Sequence, residues 1–444
     1  MVSADIPDIF PLTFQGHGIS FPDWISLITL ALAPLVAHVV GGAPQPSYLV
    51  TTRPKWHDRL VHYNPTSILW RYSAIIDRRL RAMNWNREDI AATNAIFWTS
   101  HGWDGTEDMV QLSRPFCLRL PDRSHAAFLS ADSVKTAILT LQGAQTAYIT
   151  TGTFFGLHDF STNQALDTTF FPFAVFGLWR LGAALWLTDD YMFAFQHSAA
   201  RHSSNPERAE SSFDSLLERN SISMDPCHRY KPTSTWPSRV CRTTYTIILL
   251  GIWIILILLS VPVSWAGYLY KDGYHRAAST IVQLLFFFIV LTSSLVLHIY
   301  YFYSGRTTST IIPCISATWY KIYSFVVAIL AVVLLVLSAV ETRKTPCGKY
   351  TKLPGHIGDV VSCSWGQWYI PFNASGADGD AFGVAFHHSL NEAPPENDKS
   401  GPKGWLLVYN FTDGACIIPR HPTVSRQPII VEVSNTPVNL SRTS

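Results

Sequence analysis

The chain has 444 residues, 48% of them hydrophobic and only 14% charged, against about 25% charged in an average soluble protein. Its formal net charge of +2 leaves no basic face to neutralise phosphates, which excludes a nucleic-acid partner. The mean hydropathy of +0.15 fits a partly membrane-embedded chain, and seven cysteines are too few for a disulfide scaffold.

The N-terminal segment, Met1 to Asp23, carries Asp5, Asp8 and Asp23 and no Lys or Arg. The next stretch is uncharged from Trp24 to Thr52, with its apolar heart at Ile25 to Val40. A cleaved signal peptide would have a short, positive leader, so the pattern reads as a retained first span over 24–42. Arg53, Lys55 and Arg59 follow it, which places the acidic tail outside and the next segment in the cytosol. Pro34 is expected to kink this helix.

Residues 43–132 read as a cytosolic helical segment. Asn64 is a good N-cap, with Pro65 at the first helical position. Ile68, Leu69, Tyr72, Ile75, Ile76, Leu80 and Met83 recur at helical spacing among Arg71, Arg78, Arg79 and Arg81. A basic amphipathic helix over Pro65 to Met83 follows. It either contacts anionic lipid on the cytosolic leaflet or packs as a surface helix on its own domain. Asn86 caps a second helix running toward Trp98, and His101 to Gly105 reads as a turn. His57, His62 and His101 match no zinc spacing, so no metal is assigned.

Thr136 to Leu157 is uncharged but holds six Thr with Gln142 and Gln145, a marginal span on composition. Gly143, Ala147 and Thr151 form a small-residue stripe of the kind helix contacts in membranes prefer. Thr168 to Thr188 is aromatic and carries one charge, Arg180. The connection between these two holds Asp159 and Asp167 with no Lys or Arg, while the flanks are basic. That is the charge pattern of a transmembrane hairpin over 133–188. Residues 189–242, rich in Ser and of little periodicity, read as a flexible cytosolic linker.

Three apolar blocks without Asp, Glu, Lys or Arg follow, Thr243 to Tyr270, Ala277 to Gly305 and Ile322 to Val340. Each is long enough to cross a bilayer as a helix. The chain is therefore expected to be a mainly α membrane protein with about six transmembrane helices, three of them within 243–340. Flanking basic residues do not orient these three. The acceptor sequons at Asn373, Asn410 and Asn439 all follow the last block, and oligosaccharide is added on the lumenal side. Residues 341–444 thus read as a small β-rich glycosylated lumenal or extracellular domain, with both termini outside. Cys347, Cys363 and Cys416 lie there, in a compartment that favours one disulfide among them. Trp405 to Phe411 and Ala415 to Ile418 flank Thr412-Asp413-Gly414 as a hairpin, and Ile429 to Val433 reads as a further strand. The adjacent pair His387-His388 points to opposite faces of a strand and makes a poor metal site.

Two stretches carry a family resemblance. One is Gly42-Ala43-Pro44-Gln45-Pro46-Ser47-Tyr48 leading to Arg53-Pro54-Lys55-Trp56-His57-Asp58-Arg59, with His62-Tyr63-Asn64-Pro65-Thr66-Ser67 behind it. The other is Gly305-Arg306-Thr307-Thr308-Ser309-Thr310-Ile311-Ile312-Pro313-Cys314 running into Trp319-Tyr320-Lys321. The chain resembles uncharacterised multi-pass membrane proteins of filamentous fungi over most of its length. The resemblance implies a secretory-pathway membrane and no activity, cofactor or catalytic residue.

Arg180 is the sharpest candidate for binding, since a charge in mid-span is costly and faces the bundle interior. Its expected partners are Gln142, Gln145, His298, Asp189 or Asp190, or an anion; the alternative is a purely structural role. His298, beside Tyr300, Tyr301 and Tyr303, reads as an interfacial anchor, and Cys314 as a site for palmitoylation. Without catalytic motifs, the sequence favours a structural or interaction protein of the secretory pathway or cell surface. A solute or anion transporter or channel using Arg180, and a membrane-embedded lipid-acting enzyme, are the alternatives.

Overall fold

A computed structural model describes residues 8–9, 12, 14–50, 52–154, 165–193, 229–260, 275–345 and 348–353, and strands at 367–371, 382–387, 406–410 and 430–431. The chain is mainly α-helical. Five helical segments are long and apolar enough to cross a membrane: Phe21–Gly42, Leu166–Trp186, Trp236–Ile255, Ala278–Tyr303 and Thr318–Glu341.

The first, α1 (Phe21–Gly42), starts where Ser20 accepts from the Asp23 amide and runs through Pro34 as one helix. A short helix, α2 (Trp56–Leu60), leads to α3 (Pro65–Arg81). The expected cap of α3 is present, with Asn64 Oδ1 accepting from Thr66 N at 2.9 Å. The next helix, α4 (Arg87–Asn94), is closed by a reciprocal cap in which Asn86 accepts from Asp89 N and Asp89 from Asn86 N. It stops short of Trp98 because Ile96–Thr99 is a strand, pairing parallel to Pro46–Tyr48 and antiparallel to Gly102–Asp104. Gly102, at φ +104°, supplies the left-handed turn that other residues avoid.

After the short α5 (Met109–Leu112), α6 (Ala131–Phe154) runs antiparallel to the Leu166–Trp186 segment. That segment is a 3-10 stretch, Phe171–Phe176, continued by α7 (Gly177–Ala183). The two lie very close. A Cβ on Gly143 would fall 2.8 Å from the Ala174 carbonyl, and one on Gly177 would fall 2.3 Å from that of Leu139. The small-residue stripe therefore makes a helix contact at Gly143. Three long helices follow: α8 (Trp236–Ser260), α9 (Ala278–Tyr303) and α10 (Thr318–Glu341).

The bundle has two ends. At one, the tail end, Gln15 N donates to Val340 O, Lys344 pairs with Asp23, Leu166 N donates to Thr342, and Ala278 N to Glu341. At the other, the cap end, residues 43–135 meet 187–193, 229–242 and 304–321. There Met83 N donates to Arg229 O, Lys135 pairs with Asp189, Arg78 bonds Thr308 O, and Lys321 pairs with Asp58. The long segments run alternately between these ends. A core of Phe170, Phe173, Phe176, Phe286 and Phe287 lies between them.

The basic helix α3 is not a surface helix. It packs on α1, α7, α8 and α9, and Ile68, Leu69, Tyr72, Ile75 and Ile76 join the central core. Arg71, Arg78 and Arg81 are buried too, and only Leu80 and Met83 at its C-terminal end are exposed. Its amphipathic pattern arises because long guanidinium side chains reach polar groups inside the cap rather than water. The segment expected to be a linker is packed where it is described: Ala82 bridges Tyr230, and Lys231 N donates to Arg81 O. Residues 194–228 lie outside the described residues.

In the C-terminal region Gln367–Pro371, Phe382–His387, Leu406–Asn410 and Ile430–Val431 form an antiparallel sheet in that order. The partners of Leu406–Asn410 are the strands on either side of it in this order; Ala415 to Ile418, expected to pair with it, lies outside the described residues.

Candidate functional site

Arg180 sits on α7 where α1 and α6 converge, and it is 2% exposed. Its Nε donates to Thr136 Oγ1 at 2.9 Å, its Nη1 to the Gly41 carbonyl, and its Nη2 to the Asp132 carbonyl at 3.4 Å. The Asp132 carboxylate stands 3.7 Å away. None of the expected side-chain partners is used: Asp189 pairs with Lys135, Asp190 with Arg119, and His298 Nδ1 lies 2.6 Å from Ser294 O. Asp132 escaped the sequence reading because it lies just before the span as drawn from Thr136. The charge ties the ends of three segments together and leaves none of its nitrogens without a partner.

The rest of the cap end is built the same way. Arg71 donates to Gly42 O at 2.8 Å and Asn94 O at 3.0 Å, and Arg78 to Gly105 O and Thr308 O. Arg81 holds Asp77 at 2.9 Å and also Glu107. Asp77 in turn accepts from Ser238 and from Thr307, the latter at 2.6 Å. Guanidiniums suit this work because their planar fork reaches several oxygens at once.

The histidines do not converge. His62 is stacked edge-on against Trp103 at 4.5 Å, and burial pushes its imidazole down to about 3. His298 is fully buried among Trp70 and Phe302 rather than interfacial. Among the described residues no group of three His, Cys, Asp or Glu could hold a metal. Cys314 is 6% exposed, and burial pushes its thiol up to about 11, an environment that disfavours acylation. Asn410 ends a strand, while Asn373, Asn439, Cys347, Cys363 and Cys416 lie outside the described residues.

The tail end holds a cluster that sequence reasoning missed. Both Glu341 oxygens accept from the first amides of α9, Ala278 N at 2.8 Å and Ser279 N at 2.9 Å, where a carboxylate suits the helix dipole. Beside it Lys352 is 2% exposed, and among the described residues its one bond is a long one, 3.4 Å, to Thr169 Oγ1. Gln283 Nε2 donates to Thr169 O at 3.0 Å. Among the described residues, Asp167 Oδ1, Ser279 Oγ, Gln283 Oε1 and Ser338 Oγ in the same region are buried without a hydrogen-bond partner. Burial pushes the Lys352 ammonium down to about 8, against the pull of Glu341 and Asp167. Such a dry setting favours the neutral amine over the ammonium. The sequence hinted at it only through Glu341, a carboxylate at the very edge of an apolar block.

Comparison of the chain with protein-family models, curated proteins and solved structures returns no match.

Proposed function

We propose that the chain is a structural or interaction protein of a secretory-pathway or cell-surface membrane, a rigid bundle that presents its C-terminal region on one side. The observation that carries this reading is the state of Arg180, whose three nitrogens are all bonded within the protein. An anion pathway needs that guanidinium free, and here it is a fastener. The aromatic core between the two ends supports the same conclusion, since a pathway needs polar lining.

In this reading the bundle crosses the membrane six times, with α6 as the sixth crossing despite its Thr and Gln residues. Support comes from its length, Ala131–Phe154, and its antiparallel seat against α7. The tail end is then lumenal or extracellular, and Asn373, Asn410 and Asn439 carry glycans. Cys347, Cys363 and Cys416 supply one disulfide. The cap end is cytosolic, and lipid contact there falls to Leu80 and Met83 at the end of α3.

A glycosidase mobility shift lost stepwise in Asn373→Gln, Asn410→Gln and Asn439→Gln is the expected outcome for the topology. For function, reconstituted protein should show no anion flux, and the C-terminal region should capture a partner from solubilised membranes. An anion flux abolished by Arg180→Gln in folded protein would overturn the reading.

A further inference from the structure

One arginine of α3 differs from its neighbours. Arg71, Arg78 and Arg81 donate to oxygens inside the cap. Arg79 is half-buried, and its Cζ lies 5.5 Å from the ring centroid of Trp85 and 5.9 Å from that of Trp186. At that range each indole face attracts the cation. Among the described residues no oxygen accepts from Arg79 and no carboxylate pairs with it. Its Nε is covered, but Nη1 and Nη2 are not. The outer fork of the guanidinium is therefore open, and that edge can hold two oxygens of one anion.

The position of this fork narrows the anion. Trp186 is the last residue of the Leu166–Trp186 segment, which is long and apolar enough to cross a membrane. It therefore stands at the height where a bilayer passes from hydrocarbon to headgroups. Next to these residues in the chain, Leu80, Met83 and Leu185 are exposed. Ala126 N donates to Leu185 O at 2.8 Å and Trp85 Nε1 to Ser124 O at 2.8 Å, which brings the loop before α6 to the same place. On that loop Phe128 is 91% and Leu129 90% exposed. Free apolar side chains around a charged fork fit a lipid, whose acyl chains meet the apolar groups while its phosphate meets the guanidinium.

We propose that Arg79 binds the phosphate of a bilayer phospholipid, with Nη1 and Nη2 donating to two phosphate oxygens and Trp85 and Trp186 holding the guanidinium in place. This rests on the membrane placement of the bundle and names the ligand for the lipid contact at the end of α3. It depends neither on which face is lumenal nor on what the C-terminal region captures.

The test titrates the full-length protein in dodecyl maltoside micelles with dioleoylphosphatidylglycerol and reads lipid-bound protein by native mass spectrometry. Binding is expected, and Arg79→Gln should weaken it about tenfold, the size of one lost charge-assisted contact. Arg53→Gln, which removes an exposed charge from the same end of the bundle, should leave it unchanged. Dioleoylglycerol, with the same chains and no phosphate, should bind the native protein about as weakly as phosphatidylglycerol binds Arg79→Gln. Glycerol phosphate, with the phosphate and no chains, should not displace the lipid. Equal binding of dioleoylglycerol, unchanged affinity in Arg79→Gln, or displacement by millimolar glycerol phosphate each overturns the proposal, and the first and last need no variant to fold. Release of the protein from membranes by alkaline carbonate would overturn both the proposal and the placement it rests on.

Discussion

The cap end and the tail end both bury charge, but they treat it differently. At the cap, the guanidiniums of Arg71, Arg78, Arg81 and Arg180 reach carbonyls and carboxylates from several separate stretches of chain, and most of their nitrogens are engaged. At the tail, among the described residues, the buried ammonium of Lys352 has one long bond while acceptors in the same region stand unused. A satisfied buried network fixes a geometry; an unsatisfied one is costly in the dry state and favours water or a proton shift. The cap end thus fixes its geometry with its charges, while the tail end holds a charge in a dry setting.

Breaking the cap should cost most. Asp77→Ala removes the shared acceptor of Arg81, Ser238 and Thr307. The expected loss is about 3–5 kcal/mol, the range for removing one partner of a buried ion pair. It would appear as a large fall in melting temperature in detergent, with Glu107→Gln having the smaller effect.

The tail end gives the sharper contrast, because its charge is expected to be a burden. The folded Lys352 amine titrates at about 8 against 10.5 for an ordinary lysine. Below about 8 both folded and unfolded chains hold the proton, and the folded state bears the full cost of a buried charge. Between about 8 and 10.5 the unfolded chain holds more protons, so stability rises with pH, by up to about 3 kcal/mol. Melting temperature followed over that window should climb in the native protein and stay flat in Lys352→Met, which should be at least as stable at pH 7. A fall with pH would contradict the tail-end assignment.

Next in size is the seam between α6 and α7, which serves both ends. Gly177→Ala pushes a methyl into the Leu139 carbonyl and should cost about 1–3 kcal/mol through overpacking, read as loss of monodisperse protein on gel filtration. Smallest is Asp23→Asn at the tail end. The Asp23–Lys344 pair is partly exposed, and such pairs contribute little, so no resolvable shift in melting temperature is expected.

Local signals were legible and long-range ones were not. The Asn64 and Asn86 caps were readable because the donor and acceptor lie within three residues of each other. The long apolar blocks were readable because lipid imposes length and composition together. The hydrophobic pattern of α3 was seen, but its burial was not, since periodicity cannot say that carbonyls 23 to 230 residues away wait for its arginines. Arg180 was singled out on cost alone, yet Asp132, one of its partners, lay outside the boundary drawn for the span. Lys352 carried no signal: a lone lysine in a polar stretch reads as surface, and the Thr169 it is buried against lies 183 residues away.

The cap that Glu341 places on α9 has a consequence for biosynthesis. The first amides of α9 obtain their acceptors from a residue 62 or 63 positions later in the chain, and the N-terminal segment docks on Val340 through Gln15. Neither bond can form until the ribosome has released the end of the last helix. The bundle should therefore close from the cap toward the tail, with the opening helix and the final one meeting only as translation of the membrane region ends. A nascent chain stopped before residue 341 should remain sensitive to protease at its N-terminal segment, and one extended past 353 should not.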